Sequence, residues 1–539
     1  MDVESDVLIV GAGPTGLMLA NQLARRGVRA TIIDRHAGPS LQTRALAVHA
    51  RTLEIYARMG LIDRALELGK RATGANLWTH GRPSARVPLG DIGQDLSPYP
   101  FVLILGQDDN ERVLGEKLRD GGVEVRWNTE LVGLVQHASH VEARIRHPDG
   151  TIGDVAVAWV AGCDGARSAV RELSGIPFEG APYEHVFFVA DTQMTGPMVP
   201  DELNVYLWRR GFHLFFPMRG RDHWRVVGIL PEHLREKNDL TFPEVIPAVR
   251  QEAGAELSFT ACSWFSTYRI HHRCAARFRE GRCFLLGDAA HIHSPMGGQG
   301  MNTGLQDAYN LAWKLALVVS RRAGSILLDS FEDERMPVAH RLLSTTDRAF
   351  SLVSSDSWLA GLVRTRVIAK IMGAAMRIDR IRRLAFLTIS QTGIRYPDGP
   401  LSRTLDGLPA TAPRAGDRFP WLRVKLASNG PVEDLFDQLD DTRFNLIAIG
   451  QGLPHGALSA LGDLVVVHEV SSDPANQREL ARNAVPWPSF YLLRPDGHVG
   501  LAGTQLEGDT VAAYISECLH MTAARASVGV SGTRPSVPA

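Results

Sequence analysis

Cysteine is scarce in this sequence: Cys163, Cys262, Cys274, Cys283 and Cys518 are scattered through 539 residues, and no two form a CxxC pair. Thiols spaced in this way exclude a disulfide framework and a zinc knuckle, and a reducing cytoplasm is the expected compartment. An excess of either charge is also missing. Lys and Arg number 58 against 59 Asp and Glu, for a formal net charge of -1, so no long-range field draws in nucleic acid or an anionic membrane. Long apolar runs are missing as well: Lys314 interrupts Leu311 to Val319, and Arg364, Arg366 and Lys370 interrupt Trp358 to Met376. Neither stretch reads as a membrane-spanning helix. The first residues carry Asp2, Glu4 and Asp6 where a secretion signal carries basic ones. No GxSxG elbow marks a serine hydrolase. His291 and His293 have HxH spacing but no third and fourth ligand beside them, so no metal site is expected.

What is present is an ordinary globular composition, 45% hydrophobic and 22% charged, over a length that suits two or three domains. Asp6 to Val10 is a short β-type run that passes into Gly11-Ala12-Gly13-Pro14-Thr15-Gly16 and then into a helical stretch ending at Gly27. Thr31 to Asp34 reads as the next strand. Strand, glycine turn, helix and acid in this order form a dinucleotide fingerprint: Gly11 for the tight turn, Gly13 for approach of a pyrophosphate, Gly16 for helix packing and Asp34 for ribose hydroxyls. Arg35 can be read as a binder of a 2′-phosphate, which would make the nucleotide NADP, although the rest of the chain argues for FAD. Arg44, just before an amphipathic helix, is placed either to reach phosphate oxygens or to stay solvated. Gln107 follows the β-type run Phe101 to Leu105 and can bond a ribityl chain or cap the next helix.

Two further strand ends carry acids. Val155 to Val160 runs into Cys163-Asp164-Gly165-Ala166-Arg167-Ser168, and Cys283 to Leu286 runs into Gly287-Asp288. Beyond Asp288, Pro295, Gly297, Gly298 and Gly300 leave backbone amides exposed, and a helix opening at Met301-Asn302 turns its positive end toward the same place. Such a cradle suits an electron-rich ligand edge, as on a reduced flavin. Between Glu184 and Phe278 the segments become β-type and aromatic, including Tyr206, Phe212, His213, Trp264 and Tyr268, and one face of this sheet is expected to cover an aromatic ligand. A helical region runs from Leu327 to about Gln391, followed by a Pro- and Gly-rich linker. A small α/β unit then has strands at Phe444 to Ile449, Leu464 to Val470 and Phe490 to Leu493 about an Arg494-Pro495-Asp496-Gly497 turn. The tail from about Ala523 reads as disordered.

GAGPTG at Gly11, CDGARS at Cys163 and LLGDAAH ending at His291, with GGQGMNTGLQDAYNLAWKLA after it, resemble the single-component class A FAD-dependent aromatic hydroxylases. The likeness is to the phenol-hydroxylase-like and aromatic polyketide hydroxylase groups and covers roughly residues 5 to 395. It implies an α/β fold with a Rossmann-like FAD-binding domain of the glutathione-reductase type, residues 1–180 and 270–395, interleaved with a β-sheet substrate domain at 181–269. A thioredoxin-like domain at 402–520, without CxxC and so without an expected redox role, and a tail at 521–539 complete the organisation. By the same resemblance FAD is held by Gly11, Gly13, Pro14, Thr15, Gly16, Asp34, Arg35, Arg44, Gln107, Asp164 and Asp288. Pro295 and the backbone at Gly298, Gly300, Met301 and Asn302 lie against its ring. Aspartate at position 34 departs from the family's commoner glutamate.

The implied reaction uses transient NADPH or NADH and O2 to hydroxylate a small electron-rich aromatic, phenolic or polyketide, through a flavin C4a-hydroperoxide. His213, Tyr206, Tyr268 and Arg209 are candidate phenol partners, and Pro295 is a candidate beside the ring. A Baeyer-Villiger or antibiotic-modifying monooxygenase and a non-oxygenating flavin reductase are the alternatives. Nucleic acid and membrane are not expected partners, and a homodimer is compatible with the reading.

Overall fold

Val7, Leu8 and Ile9 are at most 1% exposed, and covering both faces of a strand in this way is what a parallel sheet demands. They form β1 (Ser5–Val10), which leads through the glycine turn into α1 (Pro14–Ala24), with Gly13 as N-cap and proline in the first turn. β2 (Ala30–Ile33) lies parallel beside β1. The structure is a computed structural model that describes residues 3–40, 45–237, 239–294, 296–354, 361, 371, 374–427, 429–454 and 456–520. The readings placed on Arg44, on Pro295 and on the tail at 521–539 fall outside these residues.

α2 (Ala50–Arg58) and α3 (Gln107–Asp120) precede β3 (Ile152–Gly162), which pairs in parallel with the other side of β1, Val10 opposite Gly162. The chain then leaves this sheet through β4 (Phe178–Thr195), β5 (Leu203–Trp208), β6 (Gly211–Pro217), β7 (His223–Ile229), α4 (Phe242–Ala253) and β8 (Ser258–Ala275). It returns as β9 (Cys283–Leu285), parallel to β3 with Gly162 opposite Leu285. The order β9-β3-β1-β2 brings the carboxyl ends of three strands together at Gly11, Cys163 and Leu286. α5 (Gly300–Val319), α6 (Asp329–Ser354) and α7 (Asp379–Ile389) follow.

The second sheet runs His291–Ile292, β8, β4, β7, β6, β5, Ala75–Thr79, Arg82–Val87. Its last two strands come from the stretch between residues 61 and 106, far from the rest in sequence. α4 packs on one of its faces, with Phe242, Val245 and Val249 against Tyr206, Phe215, Trp224 and Val226. A third sheet, ordered Arg403–Thr404, Val499–Gly503, Ser489–Leu493, Phe444–Ile449, Val465–Val470, shares a core with α5 through Trp313 against Phe444, Phe490 and Tyr514.

Candidate active site

At the converging strand ends, Gly11 has φ +103°, and a Cβ there would stand 2.4 Å from the Cys163 carbonyl oxygen. A Cβ on Gly16 would stand 1.9 Å from the Gly11 oxygen. Both glycines are dictated by how the turn packs on itself and on the end of β3. Gly13 is different: its φ is -72°, and a Cβ there would meet nothing within 4 Å. The protein's own packing does not call for a glycine at 13. Pro14 and Thr15 open α1, and the Thr15 hydroxyl lies where α1, α5 and the Gly287–Ala289 turn meet, since a Cβ on Gly304 would stand 2.4 Å and one on Gly287 2.7 Å from it. Asp34 accepts the Ala12 amide at 2.7 Å and the His36 amide at 2.8 Å, so the acid at the end of β2 also holds the turn. Arg35 is exposed.

Asp164 accepts the Val170 amide at 3.2 Å through Oδ2, while its buried Oδ1 has no partner among the described residues. Burial raises its carboxyl above the usual range, against the hydrogen bonds of Ser168 and the Val170 amide. Gln107 is the first residue of α3, and its side-chain amide donates to Glu111 at 2.8 Å instead of capping the helix. Glu111 also accepts the Ser40 amide at 3.0 Å, and burial raises its carboxyl too. Asp288 lies exposed on the turn just past β9, as the apolar run ending in Gly-Asp predicts.

The glycine loop is built from inside. The side chain of Asn302 makes four hydrogen bonds, accepting from the His49 amide (2.9 Å) and the Thr52 hydroxyl (2.8 Å) and donating to the carbonyls of Ala47 (2.7 Å) and Gly298 (3.0 Å). With the side chain occupied, only the backbone of Asn302 is left to face a ligand. The helical bond from the Thr303 amide to the Gln299 carbonyl is 2.9 Å, and among the described residues the earlier amides of the first turn have no acceptor one turn back. Met301 accepts from Asn110 at 3.2 Å through sulfur. Gly297 and Gly298 have φ of +78° and +63°, and a Cβ on Gly298 would stand 2.7 Å from that of Ala47. His49 donates to the Gly298 carbonyl at 3.2 Å. Burial pushes its imidazole down to about 4, against the pull of the Gly298 and Gly297 carbonyls, so the ring is neutral at physiological pH.

The aromatic residues of the second sheet do not share one face, which corrects the expectation drawn from their density. Alternate residues of a strand point to opposite sides. Tyr206 and His213 stand opposite each other on β5 and β6, 1% and 0% exposed, on the side that α4 covers. His213 pairs with Glu252 of α4 at 2.8 Å, and Tyr206 stacks on Trp78 at 5.1 Å. Neither is open to a ligand on the other side. Tyr268, opposite Phe187, lies on that other side and is 36% exposed. The same side presents Val205, Leu214 and Phe216, half-buried, and the Arg225 guanidinium, which pairs with Asp191 at 2.5 Å and lies 5.1 Å from the Trp264 ring. Phe216, Met218 and Leu203 of this side pack against the apolar cluster that includes Leu46 and Ala47, and Ala47 lies beneath the glycine loop at Gly298. Arg209 is exposed in the turn between β5 and β6.

This arrangement fits FAD. An open side at Gly13, an unmatched Asp164 oxygen, an exposed acid past β9 and a helix start behind a glycine loop are what an extended dinucleotide ending in a flat ring requires. His49, Asn110, Asp191 and Arg225 carry no sequence signal of their own, because lone polar residues inside apolar patterns look alike until the fold surrounds them.

Sequence and structure comparisons agree with the geometry. The FAD binding domain family matches residues 4–346. The 6-methylpretetramide 4-monooxygenase of Streptomyces rimosus is 34% identical over 96% of this chain and 93% of its own length. The pentachlorophenol 4-monooxygenase of Sphingobium chlorophenolicum is 31% identical over 96% and 97%. Aklavinone-11 hydroxylase, solved in a ternary complex with FAD and aklavinone, superposes with a TM-score of 0.79 at 26% identity, covering 96% of this chain and all of that one. The chain belongs to the FAD-binding family of flavoprotein monooxygenases. Its activity is that of an NAD(P)H- and FAD-dependent aromatic hydroxylase.

Proposed function

We propose that the substrate is a phenolic or polycyclic aromatic compound, held between the glycine loop and the open side of the second sheet. The observation that carries this is the half-buried apolar side formed by Val205, Leu214 and Phe216, which continues through Phe216 to the Ala47 cluster beneath the loop. Bound FAD, once reduced by NAD(P)H, supplies the activation of O2 and the oxygen transfer. The chain's residues bind, orient and exclude water. In this reading Gly11, Gly13, Pro14, Thr15, Gly16, Asp34 and Arg35 receive the adenosine end. Arg44 and Gln107 lie along the phosphates and ribityl chain, with Asp164 and Asp288 at the strand ends. Pro295 and the backbone of Gly298, Gly300, Met301 and Asn302 border the ring. The helix start favours negative charge on that ring edge. Tyr268 is the phenol partner this geometry favours, while Tyr206 and His213 become core residues.

Residues 1–180 and 270–395 serve in this reading as the FAD-binding domain and 181–269 as the substrate domain, with the hairpin at 75–87 added to the latter's sheet. A thioredoxin-like module at 402–520 is supported by the parallel pairing of Phe444–Ile449 with Val465–Val470 and the antiparallel pairing of Ser489–Leu493 with its two neighbours. We read the enzyme as cytoplasmic, acting on a small molecule without nucleic acid or membrane.

The test is NADH or NADPH oxidation by the FAD-loaded protein with and without phenols and polycyclic aromatics. Substrate-stimulated O2 uptake and a product one oxygen heavier are expected. Turnover indifferent to oxygen would sink the reading, and a lactone or ester in place of a phenol would point to Baeyer-Villiger chemistry.

A further inference from the structure

Asp307 of α5 gathers three groups out of contact with water. It accepts the Gly287 amide at 3.0 Å, lies 2.8 Å from His291 Nε2, and accepts Arg335 Nε at 2.7 Å. Arg335, on α6, also donates to the Tyr396 hydroxyl at 3.0 Å and the Thr303 carbonyl at 3.2 Å. The preceding residue, Glu334, accepts from Lys314 (2.8 Å), Asn310 (2.7 Å) and Arg494 (2.9 Å). Arg494 pairs in addition with Asp496, which accepts the Trp313 indole at 3.3 Å. The Tyr396 ring lies 5.4 Å from the Arg494 guanidinium, so this one side chain touches Arg335 with its hydroxyl and Arg494 with its face. The side chains of Asp307, Lys314, Glu334, Arg335 and Arg494 are 0% exposed, and those of Asp496 and His291 are 2% exposed.

Buried ion pairs seldom stabilise a fold more than apolar residues of the same volume would, because desolvation offsets the attraction. Their distinct property is directional. A guanidinium fork and a carboxylate meet in one geometry only. Here the fork at Arg494 belongs to a turn of the C-terminal module, and the far end of the chain of contacts is the amide of Gly287, next to Asp288.

We propose that the C-terminal module is a positioning part of the FAD site. Its Arg494–Asp496 turn sets the Gly287–Ala289 turn, and with it Asp288, through Tyr396, Glu334 and Arg335 and then Asp307. The proposal rests on the reading of Asp288 as a flavin contact. It gives a role to a module that has no cysteine pair, and it makes Asp307, Arg335, Tyr396 and Arg494 positioning residues, none of which needs to touch the cofactor.

The test compares FAD dissociation constants and the visible circular dichroism of bound FAD for four variants of the full chain. Tyr396→Phe removes one hydroxyl and leaves every buried charge in place. Arg494→Lys keeps the charge and loses the fork. Asp288→Asn probes the flavin contact itself. Tyr514→Phe removes a buried hydroxyl that donates to the Leu401 carbonyl at 2.7 Å and takes no part in the hydrogen bonds of the relay, and it serves as the control. Tyr396→Phe and Arg494→Lys are expected to weaken FAD by about 5-fold or more and to alter its dichroism. Tyr514→Phe is expected to lower thermal stability without either effect. If Asp288→Asn weakens FAD and the two relay variants do not, the relay is overturned and the contact stands. An unchanged affinity in Asp288→Asn overturns the contact. A loss in Tyr514→Phe equal to that in Tyr396→Phe reduces the network to general stability and overturns the proposal. Should Arg494→Lys fail to fold, Tyr396→Phe carries the test alone.

Discussion

A methyl group added at Gly11 would press on the Cys163 carbonyl at 2.4 Å, and one added at Gly13 would touch nothing. Gly11→Ala also forces a side chain onto φ +103° and is expected to cost the apoprotein about 3 kcal/mol in urea unfolding. Gly13→Ala keeps an ordinary backbone and should cost within about 1 kcal/mol, the difference between the two residues at an N-cap. Its effect should appear instead in FAD affinity, which flavin fluorescence titration should find weakened by about 10-fold or more. Equal affinity in Gly13→Ala and wild type would remove the pyrophosphate from that side of the turn. The sequence spells both glycines in one motif and does not separate these roles, because spacing records which residue is present and not which neighbour excludes a side chain. Asn302 shows the same limit. Its place at the helix start is legible, but the four bonds that commit its side chain inward come from residues 47 to 52 and from Gly298, which only the folded chain brings near.

At the scale of elements, the second sheet was readable as a sheet and not as two faces. Aromatic content identified β4 through β8, yet a one-residue difference in register decides whether a ring faces α4 or the glycine loop. Tyr206 and His213 went to α4. The Tyr206 hydroxyl is buried without a partner among the described residues, so Tyr206→Phe should leave kcat and KM unchanged and should not lower thermal stability. Tyr268→Phe is expected to raise KM for a phenolic substrate, because its side chain lies on the open side. Steady-state kinetics of the pair checks both, and a kcat loss confined to Tyr206→Phe would reverse the assignment of faces. The hairpin at residues 75 to 87 escaped the sequence reading for a local reason. Its turn is His80-Gly81, with φ of 52° and 70°, and histidine is not a residue that advertises a two-residue turn as asparagine or aspartate before glycine does. The strands Phe444–Ile449 and Ser489–Leu493, by contrast, are apolar but for Asn445 and Ser489 and bounded by turn residues, and they were legible almost to the residue.

For the whole molecule, the buried relay ties stability to pH. Burial alone would raise the Glu334 carboxyl, but Arg494 and Lys314 hold it at about 2, against about 4.5 for a free glutamate. Asp307 and Asp496 are held low as well, by Arg335 and Arg494 respectively, against their burial. The unfolded chain therefore takes up these protons first as pH falls. The stability contributed by the cluster is complete above about pH 4.5 and is lost toward about pH 2. Urea midpoints of the apoprotein measured between about pH 5 and about pH 3 should fall steadily, and a flat profile would mean that the cluster is not ionised in the folded state. None of this was legible in sequence, since Asp307, Glu334, Arg335 and Arg494 sit in ordinary helix and turn contexts that give no sign of one another.

The distance along the chain between these residues gives the proposed relay an order in time. Gly11 to Gly16 are made before β4 to β8, β9 and its turn follow those strands, and the guanidinium proposed to steady that turn comes later still, in the turn after Ser489–Leu493. A nascent chain displaying all three glycine-bearing motifs still lacks Arg494, and until that guanidinium is made Glu334 has only Lys314 and Asn310 of these partners. On the proposed relay, tight cofactor binding waits for Arg494, and a chain ended before it is expected to hold FAD more weakly than the full chain.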